Sequence, residues 1–168
     1  SNVSFPILGC AMGNEELKAK YDEMHKQGPT AWFSDGREER ETILKMGEPW
    51  EDIEVLEVGC GEGDLTYQIN RKQNGHGMCY GIDYSEKAIE KALEKYGGVF
   101  IYERKNYREV TKTYDRLVMQ GVLEHLDDPF GELQWMIEHF RPKSVITSSP
   151  CFLNPRGIVW MTLDMLGA

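Results

Sequence analysis

Short apolar runs alternate with amphipathic segments along residues 53–148, and this alternation constrains the fold more than any other feature of the sequence. Strands joined through helices form βαβ units, whose right-handed crossovers produce a parallel sheet covered by helices on both faces. We therefore predict an α/β fold with a doubly wound, mostly parallel sheet. The predicted strands are 53–58, 77–83, 99–103, 114–119 and 143–148, and the predicted helices between them are 64–72, 85–96 and 129–140.

Two further helices are predicted before the first strand. One runs from the capping residue Asn14 to the Gly28-Pro29 pair, and the other covers DGREERETILKMG, ending at Gly47. The segment 104–113, which links the third and fourth predicted strands, is too short for a helix to be predicted there. We expect one domain, with residues 1–50 as a helical lid, 51–150 as the core and 151–168 as an apolar segment on the substrate side or at an interface.

The composition argues against a membrane-spanning protein, a zinc or redox site built from cysteines, and a nucleic-acid-binding protein. No apolar run approaches the roughly 20 residues that span a bilayer, and the four cysteines lack the paired spacing of a zinc or redox site. We therefore predict no membrane span and a cytoplasmic location. The net charge of −9 makes nucleic acid an unfavourable partner, because a phosphate backbone would be repelled.

The stretch VLEVGCGEGDL joins the first predicted strand to the next helix. Gly59, Gly61 and Gly63 let the chain turn tightly and let a ligand approach the backbone. Glycines also permit bare turns between a strand and a helix, so this turn alone is weak evidence for a ligand.

Two acidic residues make a phosphate ligand unfavourable at this turn. A nicotinamide-binding turn requires glycine at its sixth position, which is Asp64 counting from Gly59, and Glu62 adds a second negative charge. A phosphate-binding P-loop is excluded because the Gly-Lys-Ser/Thr ending is missing. The acids instead favour a cationic ligand without phosphates, and S-adenosylmethionine fits because it carries a sulfonium and an ammonium group.

Asp83 ends the second predicted strand, twenty residues after Gly63. A carboxylate at this position can accept hydrogen bonds from both hydroxyls of a ribose. Tyr84 can lie against the face of an adenine ring. The alternative role for Asp83 is an acid at a turn or at a helix N-terminus.

Three motifs in this order resemble those of the class I S-adenosylmethionine-dependent methyltransferases, which have a Rossmann-like fold. They are VLEVGCGEG, GIDYSEKAIEKA and YDRLVMQGVLEHLDDP, and the resemblance covers roughly residues 50–150. It implies a methyltransferase that uses S-adenosylmethionine. The cofactor-binding residues that it implies are Glu57, Gly59, Cys60, Gly61, Gly63, Asp83, Tyr84, Asn106 and Gln120.

The resemblance also assigns a part of the cofactor to each position. Glu57, the backbone of the glycine turn and Gln120 would face the methionine moiety, Asp83 the ribose and Tyr84 the adenine. Asn106 stands where such enzymes often have an aspartate directed at the adenine amino group, so it departs from the family pattern.

The sequence GVLEHLDDP places His125 near the reactive end of the cofactor in this resemblance. A histidine can act as general base for an oxygen or nitrogen nucleophile, so His125 is the candidate catalytic residue. A structural role for the Leu-Glu-His sequence is the alternative. Because Glu124 and His125 provide only two clear ligands, we predict no metal site.

Relatives usually end with two further strands that form an antiparallel pair, and this pair is expected to be missing here. The apolar stretch Gly157 to Leu166 would then need a cover, such as a second copy of the chain in a homodimer.

We predict transfer of a methyl group to an oxygen or nitrogen of a small molecule, including sugars and lipid-linked metabolites. Two alternatives stay open: a cofactor-binding partner domain without catalytic activity, and a nicotinamide-dependent oxidoreductase. Binding of S-adenosylmethionine would separate the oxidoreductase from the other two, and only turnover would separate those.

Overall fold

The computed structural model describes residues 36–98 and 101–150 and the backbone of residues 158–164. The predicted helix starting at Asn14 and most of the proposed lid lie outside these residues. The helices, numbered in chain order, are α1 (Arg37–Met46), α2 (Asp64–Gln73), α3 (Glu86–Tyr96) and α4 (Pro129–Phe140). The strands are β1 (Ile53–Val58), β2 (Gly77–Asp83), β3 (Tyr102–Arg104), β4 (Arg116–Gln120), β5 (Ser144–Pro150) and β6 (Ile158–Asp164).

The strands form one six-stranded sheet in the order β3-β2-β1-β4-β5-β6. Strands β1 to β5 are parallel to one another, which confirms the predicted doubly wound α/β fold. The strand order reverses between β1 and β4, because the chain first adds strands on one side of β1 and then on the other. Ligands of such sheets bind beyond the carboxyl ends of the strands at this switch point.

One edge of the sheet requires a correction to the prediction. We expected the C-terminal pair of strands to be missing, but the described residues include one strand of this kind, β6, which lies antiparallel to β5 with pairs from Ser144 opposite Asp164 to Pro150 opposite Ile158. The sequence analysis assigned the apolar stretch Gly157 to Leu166 to the substrate side or an interface, because an apolar stretch of this kind and an edge strand have the same local sequence pattern. Pairing with β5 satisfies the backbone groups that β5 would otherwise leave open on that side.

The other boundaries differ by a few residues. Strand β3 is shorter than predicted, although residues 99 and 100 lie outside the described part of the chain. Strand β4 starts at Arg116 instead of residue 114, because the Tyr114 amide donates to the Phe140 carbonyl of α4 at 3.3 Å and not to a neighbouring strand. The link between β3 and β4 contains no α-helix, as its length predicted, but it includes a 3₁₀ turn, Tyr107–Glu109, that was not predicted.

Two hydrophobic clusters cover opposite faces of the sheet, because neighbouring residues of a strand point to opposite sides. Val55 and Leu56 are both fully buried, one in each cluster. The first cluster packs α1 and α2 against the sheet and includes Ile43, Trp50, Val55, Leu65, Ile69, Val118 and Ile146. The second packs α4 against it and includes Leu56, Leu117, Met119, Leu133, Met136, Phe140 and Val145.

Among the helices that the structure describes, none combines the length and the apolar character that a membrane crossing requires.

Candidate functional site

The glycine turn after β1 uses its backbone amides for internal hydrogen bonds. The amides of Gly59 and Cys60 both donate to the Ile82 carbonyl, at 2.8 and 3.0 Å, and the Gly63 amide donates to the Cys60 carbonyl at 2.9 Å. The Gly61 amide donates to Asp83 Oδ2 at 3.0 Å. A phosphate-binding turn instead directs such amides at the ligand. This geometry therefore suits a ligand that contacts the turn without requiring amide donors for phosphate oxygens.

Two of the three glycines are required by packing as well as by the turn. All three have positive φ angles, which only glycine adopts readily. A Cβ atom on Gly59 would lie 2.6 Å from Val122 Cγ2. A Cβ atom on Gly63 would lie 2.6 Å from Tyr102 Cε1 and 2.9 Å from Ala92 Cβ, and the Tyr102 hydroxyl donates to the Gly63 carbonyl at 2.9 Å. The absence of a side chain at Gly63 is thus explained by contacts within the protein.

Asp83 connects the glycine turn to the start of α3. Its Oδ2 accepts from the Gly61 amide and its Oδ1 accepts from the Ser85 amide at 2.8 Å. Ser85 in turn caps α3, because its hydroxyl oxygen accepts from the Ala88 amide at 3.2 Å. Each carboxylate oxygen can accept more than one hydrogen bond, so Asp83 can hold the turn and still accept from a ligand. Tyr84 follows it and is half-buried.

The interpretation of Glu62 and Asp64 as charges directed at a cationic ligand is wrong. Lys91 of α3 pairs with Glu62 Oε1 at 2.9 Å. Lys95 pairs with Asp64 Oδ1 at 2.8 Å, and the Tyr96 hydroxyl donates to the same oxygen at 2.6 Å. Lys95 and Tyr96 act against desolvation by burial and hold the pKa of Asp64 below its usual value. These acids fasten the turn to α3, because lysines near the end of α3 lie opposite them.

Glu57, the next-to-last residue of β1, is the buried acid of the site. Its side chain is only 2% exposed, and one carboxylate oxygen accepts a hydrogen bond from the Thr66 hydroxyl of α2. The pKa of Glu57 is raised to about 8, mainly by burial and to a smaller extent by the nearby charge of Asp83, while the side-chain and backbone hydrogen bonds from Thr66 and the charge of Arg40 act in the opposite direction.

Gly81 makes the contact between Glu57 and Thr66 possible. Gly81 of β2 pairs with Glu57 of β1, and a Cβ atom on Gly81 would lie 2.5 Å from Thr66 Oγ1 and 2.9 Å from Cys60 Cβ. The strand therefore has no side chain at the point where the Thr66 hydroxyl and the Cys60 side chain approach it.

We expect Gly81→Ala to lower the free energy of unfolding by about 2 kcal/mol, because both neighbours are buried and have to move. Urea denaturation measures this loss. The loss should be smaller when Thr66 is also replaced by alanine, since one of the two close contacts is then removed. Equal losses in both backgrounds would show that the Thr66 contact does not cause the effect.

Gln120 ends β4 and ties α1 to the carboxyl edge of the sheet. Its side-chain nitrogen donates to the Gly36 carbonyl at 3.3 Å and to Glu39 Oε2 at 3.0 Å. The start of α1 therefore lies beside the predicted methionine end of the site. This is the part of the predicted lid that the structure describes.

Asn106 has a local role in the structure. Its side-chain oxygen accepts from the Arg108 amide at 2.9 Å, and Glu109 Oε2 accepts from the Asn106 amide at 3.0 Å. This capping box forms the 3₁₀ turn between β3 and β4, and Asn106 is exposed. The turn is fastened to α4, because the Tyr107 hydroxyl donates to Glu132 at 2.6 Å. A contact between Asn106 and adenine stays a prediction.

His125 ends a second 3₁₀ turn, Leu123–His125, just after β4. Its Nε2 lies 4.0 Å from Glu124 Oε1, and the Ser149 hydroxyl donates to Glu124 Oε2 at 2.9 Å. The imidazole is exposed and sits at the carboxyl edge of the sheet beside an anchored carboxylate. Within the residues that the structure describes, no cluster of three or more His, Cys, Asp or Glu side chains could hold a metal ion.

The structure brings the predicted residues of the first two strand ends together around the glycine turn. Glu57, Gly61 and Asp83 are linked through the paired ends of β1 and β2. Sequence reasoning missed Thr66, which supplies the hydrogen bond to Glu57. The one signal for this role in the sequence is that Thr66 places a hydroxyl group next to the apolar residues Leu65 and Ile69 of the same helix.

The chain is similar to known methyltransferases. A sequence model of the family described as "Methyltransferase domain" matches residues 50–155. The mitochondrial ubiquinone biosynthesis O-methyltransferase of Saccharomyces cerevisiae is 29% identical over 138 residues, covering 78% of this chain and 43% of the yeast protein. The chain thus spans less than half the length of this curated relative.

Two solved structures share the fold. An S-adenosylmethionine-dependent methyltransferase from Aquifex aeolicus gives a TM-score of 0.58 at 19% identity, over 79% of this chain and 72% of that one. The N-methyltransferase NodS from Bradyrhizobium japonicum WM9, solved with S-adenosylhomocysteine, gives 0.60 at 18% identity, over 78% and 72%.

Proposed function

Because the chain belongs to the family of methyltransferase domains, which the match over residues 50–155 establishes, we propose that it transfers the methyl group of S-adenosylmethionine to an oxygen or nitrogen of a small molecule. The cofactor supplies an activated methyl group on a sulfonium. The protein has to bind it, align the acceptor with the methyl carbon and the sulfur, and exclude water.

The glycine turn and Asp83 support this cofactor most directly. The Gly59, Cys60, Gly61 and Gly63 amides all donate within the protein, so these four amides are not directed at a pyrophosphate. Asp83, at the carboxyl end of β2, is a carboxylate of the kind that accepts hydrogen bonds from ribose hydroxyls. An adenosine that carries a methionine in place of phosphates suits this arrangement better than a nicotinamide dinucleotide.

The acceptor class is an oxygen or nitrogen nucleophile, and sugars and lipid-linked metabolites are the first compounds to test. The yeast relative is named as an O-methyltransferase and NodS as an N-methyltransferase, so both kinds of acceptor occur among similar proteins. His125 would take the proton from the nucleophile, with Glu124 orienting the imidazole. Gln120 would border the methionine end, together with the start of α1.

Isothermal titration with S-adenosylhomocysteine tests the cofactor, with NAD as the control ligand. We expect micromolar binding of S-adenosylhomocysteine and none of NAD. Transfer of radiolabelled methyl from S-adenosylmethionine to a panel of phenols, amines and sugars then tests turnover. Binding without transfer to any acceptor would favour the catalytically inactive partner domain, and binding of NAD alone would overturn the proposal.

Asp83→Ala should weaken S-adenosylhomocysteine binding by about 10- to 100-fold, because charge-assisted hydrogen bonds to the ribose are lost and the Gly61 amide loses its acceptor. Titration calorimetry measures the change. Asp115→Ala is the matched control, since Asp115 also accepts from a backbone amide, that of Glu54 at 2.9 Å, but lies next to the amino end of β4. Unchanged affinity in folded Asp83→Ala would contradict the assignment.

A further inference from the structure

Among the residues that the structure describes, Glu57 forms no ion pair, in contrast to Glu62 and Asp64 of the glycine turn. Lys91 pairs with Glu62 and Lys95 with Asp64, whereas none of the ion pairs among the described residues involves Glu57. Its carboxyl group accepts from the Thr66 hydroxyl, and the Thr66 backbone amide also favours its ionised form, so both of these donors are uncharged. An ionised carboxylate that is 2% exposed and forms no ion pair with the described residues is unfavourable.

The groups around Glu57 do not compensate for its burial. Asp83 lies on the neighbouring strand and disfavours a second negative charge, whereas Arg40 of α1 favours it but has the smallest of the named effects. The thiols of Cys60 and Cys79 are buried beside it, and their own pKa values are raised. The titratable and charged groups that face Glu57 are Arg40, Cys60, Cys79, Asp83 and Tyr102.

We propose that Glu57 is a neutral carboxylic acid in the free protein and releases its proton to solvent when the ammonium group of the cofactor binds beside it. The inference rests on the proposed function, because it requires a ligand with an α-amino acid group at this end of the site. The only covalent bond that breaks is the carboxyl O–H bond. The resulting carboxylate pairs with the ammonium, which keeps its own proton, and Thr66 continues to donate to Glu57.

This coupling makes cofactor affinity depend on pH in a defined direction. Below the pKa of free Glu57, which is about 8, each binding event first has to remove a proton, so affinity falls as pH falls. From pH 7 to pH 6 we expect the dissociation constant of S-adenosylhomocysteine to rise about tenfold. Above pH 8 the acid is already ionised, and the affinity should level off.

Titration calorimetry in two buffers measures the released proton directly. The full chain is titrated with S-adenosylhomocysteine at the same pH in phosphate and in Tris, whose ionisation enthalpies differ. The difference in the observed heats gives the number of protons exchanged. We expect release of about one proton per ligand at pH 7 and about half a proton at pH 8, as a pKa near 8 requires.

Two controls identify the group that releases the proton. Glu57→Gln keeps the shape and can still accept from Thr66, but it has no proton to release, so its binding should be independent of the buffer and of pH from 6 to 8. The second control is 5′-methylthioadenosine, which keeps the adenosine and the thioether but has no amino acid group. It should bind the wild-type chain without proton release.

Two variants of Thr66 test whether this residue positions and tunes the Glu57 carboxyl group or has a structural role alone. Thr66→Val removes the hydroxyl that favours the ionised form, so half-maximal proton release should occur at a higher pH, and Thr66→Ser should restore the wild-type value. A structural role alone would change stability without moving this pH.

The outcomes distinguish this inference from the proposed function. Absence of any S-adenosylhomocysteine binding would overturn the proposed function. Binding with equal heats in both buffers, or equal proton release from Glu57→Gln, would overturn the role of Glu57 and leave the proposed function intact. Proton release with 5′-methylthioadenosine would show that the ammonium group is not the trigger.

Discussion

Replacing His125 by glutamine should lower kcat by about 100-fold for the best acceptor of the panel and leave the affinity for S-adenosylhomocysteine within about twofold. The expected loss follows from the proposed role of the imidazole as general base. His125 lies just after β4 at the carboxyl edge, and Glu124, held by the Ser149 hydroxyl at 2.9 Å, lies 4.0 Å from its Nε2. The measurement is initial-rate transfer of radiolabelled methyl at saturating cofactor.

The matched control for His125 is His76→Gln. His76 is also exposed and lies near a carboxylate, with its Nδ1 3.8 Å from Asp52 Oδ1, but it directly precedes β2 at the opposite edge of the sheet. We expect wild-type turnover from this variant. If His125→Gln and His76→Gln had the same kcat, His125 would not be the base, and the Leu-Glu-His sequence would have the structural role that the sequence left open.

Glu57→Gln should make the free protein more stable than the wild type at alkaline pH. The pKa of Glu57 is about 8 in the folded chain and close to 4.5 in the unfolded one, so the folded state binds the extra proton between these values. The contribution of Glu57 to the stability of the wild type therefore falls as pH rises from about 4.5 to 8. The accumulated cost at pH 9 is on the order of 4 kcal/mol, and glutamine does not incur it.

Urea denaturation at pH 5, 7 and 8.5 tests this prediction. The difference between the variant and the wild type isolates Glu57, since the other titrating groups are common to both. Glu54→Gln is the matched control, because Glu54 belongs to the same strand but its carboxylate pairs with Lys112. Parallel stability curves for wild type and Glu57→Gln would mean that Glu57 is ionised in the free protein.

Much of the fold could be predicted because its signals are local. The IEVLEV run, the glycines after it and the capping residue Ser85 each determine structure within a few residues, and the structure places β1, the turn and α3 where they were predicted. The end of β2 was predicted at Asp83 for the same reason. The site could be located from this order alone, because parallel strand ends meet at one edge.

The partners of individual side chains could not be predicted in this way. Glu62 and Asp64 suggested a cationic ligand by their place in the sequence, but Lys91 and Lys95, roughly thirty residues later, pair with them. No local pattern shows which lysine of α3 faces the turn, because that depends on how α2 and α3 pack against the sheet.

Hydrophobic periodicity and turn chemistry act over short distances, so the succession of strands and helices along the chain, the glycine turn and the acid at the end of β2 could be predicted from residue order. Packing between distant segments was needed to show that β6 pairs with β5, that lysines of α3 pair with two acids of the turn, and that Glu57 lies buried beside Thr66. Strand pairing, ion pairing and burial depend on residues far apart in the chain, and burial is the main cause of the raised pKa of Glu57.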